Sequence, residues 1–139
     1  MHGKQRIEKV KLTELPKLPY SLPEGMEVYR IFEGNNLMIS YWRCSPALPI
    51  KDQPHRHEGY GVVEETIILL KGKMRIFSGE ESAVVEAGEA VSYLGSEEHQ
   101  SEILEPVEAF MIVAPPVKVR THGSQVEYVA KGKMGGDQK

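Results

Sequence analysis

The chain of 139 residues has a single cysteine, Cys44, so no disulfide can close within it. It has no apolar run approaching the ~20 residues of a membrane-crossing helix, and its longest aliphatic stretch is only Ile67 to Leu70. It has no surplus of positive charge: 17 Lys and Arg stand against 20 Asp and Glu, a formal net charge of -3, which leaves no global field to gather phosphate backbones. The opening stretch MHGKQRIEKV lacks the apolar segment of a secretory signal. Helical periodicity is missing from Met26 onward, and no internal repeat of useful period is visible. These absences argue against disulfide-scaffold, membrane-spanning and nucleic-acid-binding classes. What they leave is a cytoplasmic protein whose expected partner is a small molecule, with no nucleic acid and no membrane.

What is present is ordinary in amount and informative in order. With 40% hydrophobic and 27% charged residues the composition is that of a globular protein, and the length suits one core. Arg6 to Leu12 alternates charged and apolar residues, as an edge strand does. Pro16, Pro19 and Pro23 then favour an extended connector. Short β-rich runs follow at Glu27 to Phe32, Leu37 to Arg43, Thr66 to Leu70, Lys73 to Phe77, Ala83 to Val85, Ala90 to Tyr93, Ser101 to Leu104 and Ala109 to Val113. Turn residues separate them, including Lys71-Gly72-Lys73 and Glu105-Pro106. Many short strands at regular spacing predict an all-β sandwich or barrel. Val126 to Lys131 reads as a strand or a terminal helical turn, and the Gly- and Lys-rich tail beyond Gly132 has little to bury.

Chemistry concentrates in Pro54-His55-Arg56-His57. On an extended backbone alternate side chains share a face, so His55 and His57 project together and two imidazoles can share a cation. Two solvated histidines would give the same short pattern. Glu65 opens the apolar run Thr66 to Leu70, where a buried carboxylate needs a partner for its charge; a solvated strand end is the plainer reading. A turn, a strand, a second turn and a histidine follow from Gly88 to His99.

In this arrangement the chain resembles the cupin superfamily, and within it the small single-domain, metal-binding, cupin-2-like members. The first cupin motif is His-x-His, a Glu, six residues and a Gly, met here by His55, His57, Glu65 and Gly72. The second sets a Gly eleven positions before a final His, met by Gly88 and His99. The chain departs from the pattern in having seven residues between His57 and Glu65, where three or four are usual. It also has Leu94, Ser96 and Ile103 where the second motif carries Pro, Gly and Asn. Glu64 is a neighbouring alternative to Glu65, and the spacing to Gly72 selects Glu65.

The resemblance implies a double-stranded β-helix, the cupin or jelly-roll barrel, over residues 37–116. An N-terminal strand and Pro-rich extension, residues 1–36, would pack on it, and residues 117–139 would form a C-terminal segment with a flexible tail. It further implies one divalent transition metal (Fe, Mn, Ni or Zn) held by His55, His57, Glu65 and His99, with coordination positions left open. Three imidazoles and a carboxylate suit such ions and do not discriminate among them. The function implied is that of a metal-dependent isomerase, lyase or dioxygenase acting on a small organic acid or sugar derivative. The alternative is a non-catalytic ligand-binding or sensor barrel.

Period-two reading from Glu65 sets Ile67 and Leu69 inside the barrel, and from His99 it sets Ser101 and Ile103 inside. Tyr60, Arg75 and Tyr93 are candidate catalytic residues, with Tyr41 and Arg43 as further polar candidates for orienting a ligand. Met38, Trp42, Phe110 and Met111 read as core. The N-terminal strand and the open barrel edges invite pairing, so a homodimer is expected.

Overall fold

The computed structural model describes residues 7–18, 24–45, 50–51, 54, 56–58, 62–116 and 119–120. Among these residues the regular structure is a short 3₁₀ turn at Leu12–Glu14 followed by nine strands. They are β1 (Met26–Glu33), β2 (Met38–Cys44), β3 (Ile50–Lys51), β4 (His57–Glu58), β5 (Glu64–Ser78), β6 (Glu81–Glu86), β7 (Ala90–Leu94), β8 (His99–Ala114) and β9 (Val119–Arg120). All pairings between strands are antiparallel, and β4 with β9 forms a separate two-stranded ribbon.

Two long strands organise the rest. The first part of β5 lies between β7 and the second part of β8, and β2 and β1 extend that half-sheet. The last part of β5 lies between β6 and the first part of β8, with β3 beyond. Thr66 to Leu70 and Lys73 to Phe77 are therefore one strand, and Ser101 to Leu104 and Ala109 to Val113 another, where the sequence suggested four. Gly and Pro usually end strands, yet here Gly72 and Pro106 sit opposite each other and both strands bend together. Gly72 has φ +88°, and a Cβ built on it would lie 2.0 Å from the Pro106 carbonyl oxygen. Only glycine permits that approach.

The inward alternation of these strands supplies the core: Met26, Val28, Trp42, Ile67, Leu69, Met74, Ile76, Val85, Ile103, Val107 and Ala109 are all buried. Ile67, Leu69, Ser101 and Ile103 face inward, as the period-two reading expected, and Met38 and Trp42 are buried. Phe110 differs. It lies on the outward face, its ring 6.1 Å from that of Tyr41, because β8 alternates inward at Ala109 and Met111.

The amino-terminal segment also differs from its expected strand. Residues 7–11 carry no regular structure, and pairing to β1 comes later, through the Lys17–Tyr29 bridge and the bonds from Leu18 N to Val28 O and from Arg30 N to Pro16 O. Of the prolines expected to form a connector, Pro16 thus lies along the edge of β1, and Pro19 and Pro23 lie outside the described residues. The C-terminal readings beyond residue 120 lie outside the described residues, and no helix among those described is long and apolar enough to cross a membrane.

Candidate functional site

The site is a product of the bend. In β5, Glu65 precedes Ser78 by thirteen residues, and Ser78 pairs with His99 at the start of β8. Along a straight strand that offset would be about 43 Å. The structure instead brings Glu65 Oε1 within 3.2 Å of His99 Nε2. The strand has folded over itself at residues 70–72, where its register with β8 shifts, so that its two ends enclose one interior.

Local sequence fixes each side chain. Glu65 is aimed inward by the alternation that buries Val63, Ile67 and Leu69, while Glu64 points out and is exposed. That geometry turns Glu65, and not its neighbour, to the interior. Serine 92 steadies the β5–β7 pair, its hydroxyl donating to the Glu65 carbonyl at 3.2 Å. His99 follows the 95–98 turn, which is tied to the start of β5 by Gly95 N donating to Val63 O at 2.7 Å. Glu65 is 1% exposed and His99 4%.

The electrostatics of this contact are specific. His99 Nδ1 lies 2.8 Å from the Glu97 carbonyl oxygen. A carbonyl can only accept, so Nδ1 carries the proton and a neutral ring turns the lone pair of Nε2 toward Glu65. Two acceptors cannot rest 3.2 Å apart in a buried interior unless a proton or a cation bridges them. A second proton on the imidazole or a proton on the carboxyl would do so, and so would a cation. The separation matches neighbouring ligands on one ion with bonds of about 2.0–2.2 Å, and a backbone carbonyl on the far nitrogen is the usual support of a metal-bound histidine.

The structure treats the other expected residues unequally. His55 and Tyr60 lie outside the described residues; the backbone of His57 opens β4, and its side chain is likewise outside them. Among the described residues no three His, Cys, Asp or Glu side chains form a group that could hold a metal ion. Tyr93 comes to the site: it pairs with Glu65 across β5 and β7, and its ring centroid is 5.0 Å from that of His99. Arg75 does not, because it alternates with the buried Met74 and Ile76 and turns outward, where it bonds Glu102 at 3.1 Å. Tyr41 and Arg43 are also outward, bonded to Glu108 at 2.9 Å and to Glu27 at 3.1 Å.

Cross-strand register places Met38 and Val113 in the same interior row as Glu65 and Tyr93, with Ser40, Met111, Ile67 and Val91 in the row beneath. The sequence marks Met38 and Met111 only as core and does not single out Ser40; partnership with the Glu65 row is a matter of register, which no single run of sequence displays.

No protein-family model matches this chain, and no curated protein does. Solved structures do. An RmlC-like cupin from Shewanella frigidimarina superposes with a TM-score of 0.64 at 10% identity, covering 83% of this chain and 95% of that one. The polyketide cyclase RemF from Streptomyces resistomycificus gives 0.59 at 20% identity, covering 80% and 83%. An HTH_3 family transcriptional regulator from Vibrio cholerae gives 0.57 at 23% identity over 66% of this chain, which spans only 52% of the regulator. Together with the bent strand pair and the antiparallel barrel built on it, these likenesses establish that the chain has the cupin fold.

Proposed function

We propose that the chain is a metal-dependent enzyme acting on a small organic acid or sugar derivative, with one divalent transition metal (Fe, Mn, Ni or Zn) held by His55, His57, Glu65 and His99. The observation that supports this most is the buried contact of Glu65 with a histidine whose tautomer a backbone carbonyl fixes. A bound ion supplies Lewis-acid polarisation of a substrate oxygen, or oxygen chemistry if it is iron. The chain's own residues do the rest. Glu97 O holds the proton on His99 Nδ1, and the Tyr93 ring packs against the imidazole and sets its plane. Met38, Met111, Val113 and Ile67 keep water from the wall beside Glu65. The likeness of fold to a polyketide cyclase is consistent with an enzyme. A cytoplasmic location belongs to the same reading, in keeping with one buried thiol at Cys44.

The test is elemental analysis of protein purified without added metal, followed by a substrate screen with iron, manganese, nickel or zinc restored. The proposal expects close to one ion per chain and turnover that a chelator abolishes. Metal-free protein that still binds small acids would favour the second reading, a non-catalytic ligand sensor, which the likeness to a transcriptional regulator supports.

A homodimer is part of the proposal. Tyr29, Tyr41, Phe110 and Ile68 pair in turn across β1, β2, β8 and β5 on the outward face, where Ile68 is 36% and nearby Leu70 43% exposed. Beside them Glu27, Arg43, Glu108 and Lys71 form a row of alternating charge. Read backwards by a two-fold axis, such a row meets its own complement.

A further inference from the structure

A charged pair in the barrel wall was invisible to period-two reading. In a regular strand, residues three apart point to opposite faces, so Arg30 and Glu33 should diverge. They do not, because the register of β1 against β2 shifts between Arg30 and Phe32: Arg30 pairs with Ser40, and Glu33 with Met38. Ser40 and Met38 both face the interior. The bulge at Ile31 thus turns Arg30 and Glu33 to the inside together, and bulges re-aim side chains in this way beside binding sites. Their side chains are 13% and 22% exposed, and Arg30 Nη1 contacts Glu33 Oε1.

The position of the pair matters. Glu33, Met38, Val113, Glu65 and Tyr93 are successive partners in one interior row, and Arg30 lies in the row beneath with Ser40 and Met111. Three strand spacings separate Glu33 from Glu65, about 14 Å along the wall and less across a curved interior. A ligand long enough to span this stretch of the interior row from Glu65 and His99 would meet the pair with its other end. The guanidinium is a planar fork matched to carboxylates, and Glu33 Oε2 is a buried acceptor with no hydrogen-bond partner among the described residues, a place for a hydroxyl donor. Burying such a pair costs desolvation that apolar residues of similar volume avoid, and its place beside a bulge on the interior row of the proposed ligands is consistent with a role in binding.

We infer that Arg30 and Glu33 form a polar subsite for a hydroxycarboxylate, Arg30 taking the carboxylate and Glu33 an adjacent hydroxyl. This rests on the reading of the interior as a ligand site and narrows its substrate class to hydroxy acids.

The test is calorimetric binding to the full-length protein of three matched pairs: lactate and propane-1,2-diol, gluconate and glucitol, galacturonate and galactose. Metal content is measured separately on each sample. The wild type is expected to bind at least one acid in preference to its neutral counterpart. Arg30→Gln should reduce that preference by roughly ten- to hundredfold, the scale of a hydrogen bond to a charged group, and Arg30→Lys should restore part of it. Glu33→Gln should weaken the neutral partner and raise the preference for the acid, because it removes a like charge beside the bound carboxylate and releases Arg30 from its ion pair. Since Arg30→Gln leaves a buried carboxylate behind, the neutral double variant Arg30→Gln/Glu33→Gln accompanies it, with a melting curve as control for folding. Metal content should be the same in all variants. No acid preference in the wild type, or an undiminished one in both Arg30→Gln and the double variant, overturns the subsite. Loss of metal from the wild type would instead strike at the metal reading, and the binding comparison stands apart from it.

Discussion

Glu65 is a carboxylate in a place where a carboxylate is costly. Almost completely buried and 3.2 Å from an imidazole nitrogen, it is tolerable only with positive charge beside it. Glu65→Gln keeps the shape and removes the charge. It should therefore lower affinity for zinc or manganese by more than the ~10–100-fold that loss of an outer-shell partner costs, as competition with a chromophoric chelator would measure. An unchanged affinity would remove Glu65 from the ligand set. On the outward face a second carboxylate behaves differently. Glu27 is held below the ordinary carboxylate range, first by the Tyr29 hydroxyl and then by Arg43, while the same contact with Glu27 raises the Tyr29 phenol. A depressed carboxyl stabilises the fold above its unfolded value and ceases to do so as pH falls through its folded value. Glu27→Gln should accordingly lower stability at neutral pH, where the charged carboxyl contributes, leave the strongly acidic end little changed and so flatten the acid limb between them, in urea melts taken across that range.

At the scale of elements, the bend of β5 over β8 decides everything about the site. Gly72 and Gly79 both have positive φ, but a Cβ at Gly79 meets nothing within 4 Å, whereas at Gly72 it would strike the Pro106 backbone. Gly79→Ala should cost about 1 kcal/mol, the price of conformation alone. Gly72→Ala should cost more than about 2 kcal/mol, adding overpacking to strain, and should release bound metal with the lost stability; chemical denaturation of both variants checks the difference. The strands themselves were legible in alternating residues, and so were Ile67, Leu69, Ser101 and Ile103 as interior positions. The bend was not. Gly72 and Glu105-Pro106 carry the residues of turns, and only their meeting across two strands converts two apparent turns into one shared fold. Arg30 and Glu33 were hidden for a related reason: one extra residue in β1 inverts the parity on which face assignment depends. Arg75 and Phe110 could be placed only once the inward faces of β5 and β8 were fixed.

For the whole molecule, the outward sheet face of β1, β2, β8 and β5 carries the expectation of a dimer. Ile68→Glu sets a like-signed charge at the centre of that face in each copy. If the face is the interface, light scattering should give a dimeric mass for the wild type and a monomeric one for the variant at micromolar concentration. A monomeric wild type would rule the dimer out. The barrel as a whole exists, on this account, to bring residues far apart in sequence around one cation. The most direct measurement is an anomalous-diffraction map of crystals grown from protein that retains its own metal. The account predicts a single peak per chain, about 2.0–2.2 Å from both a Glu65 carboxylate oxygen and His99 Nε2. A map with no peak there, with Nε2 donating a proton to Glu65 instead, would contradict it.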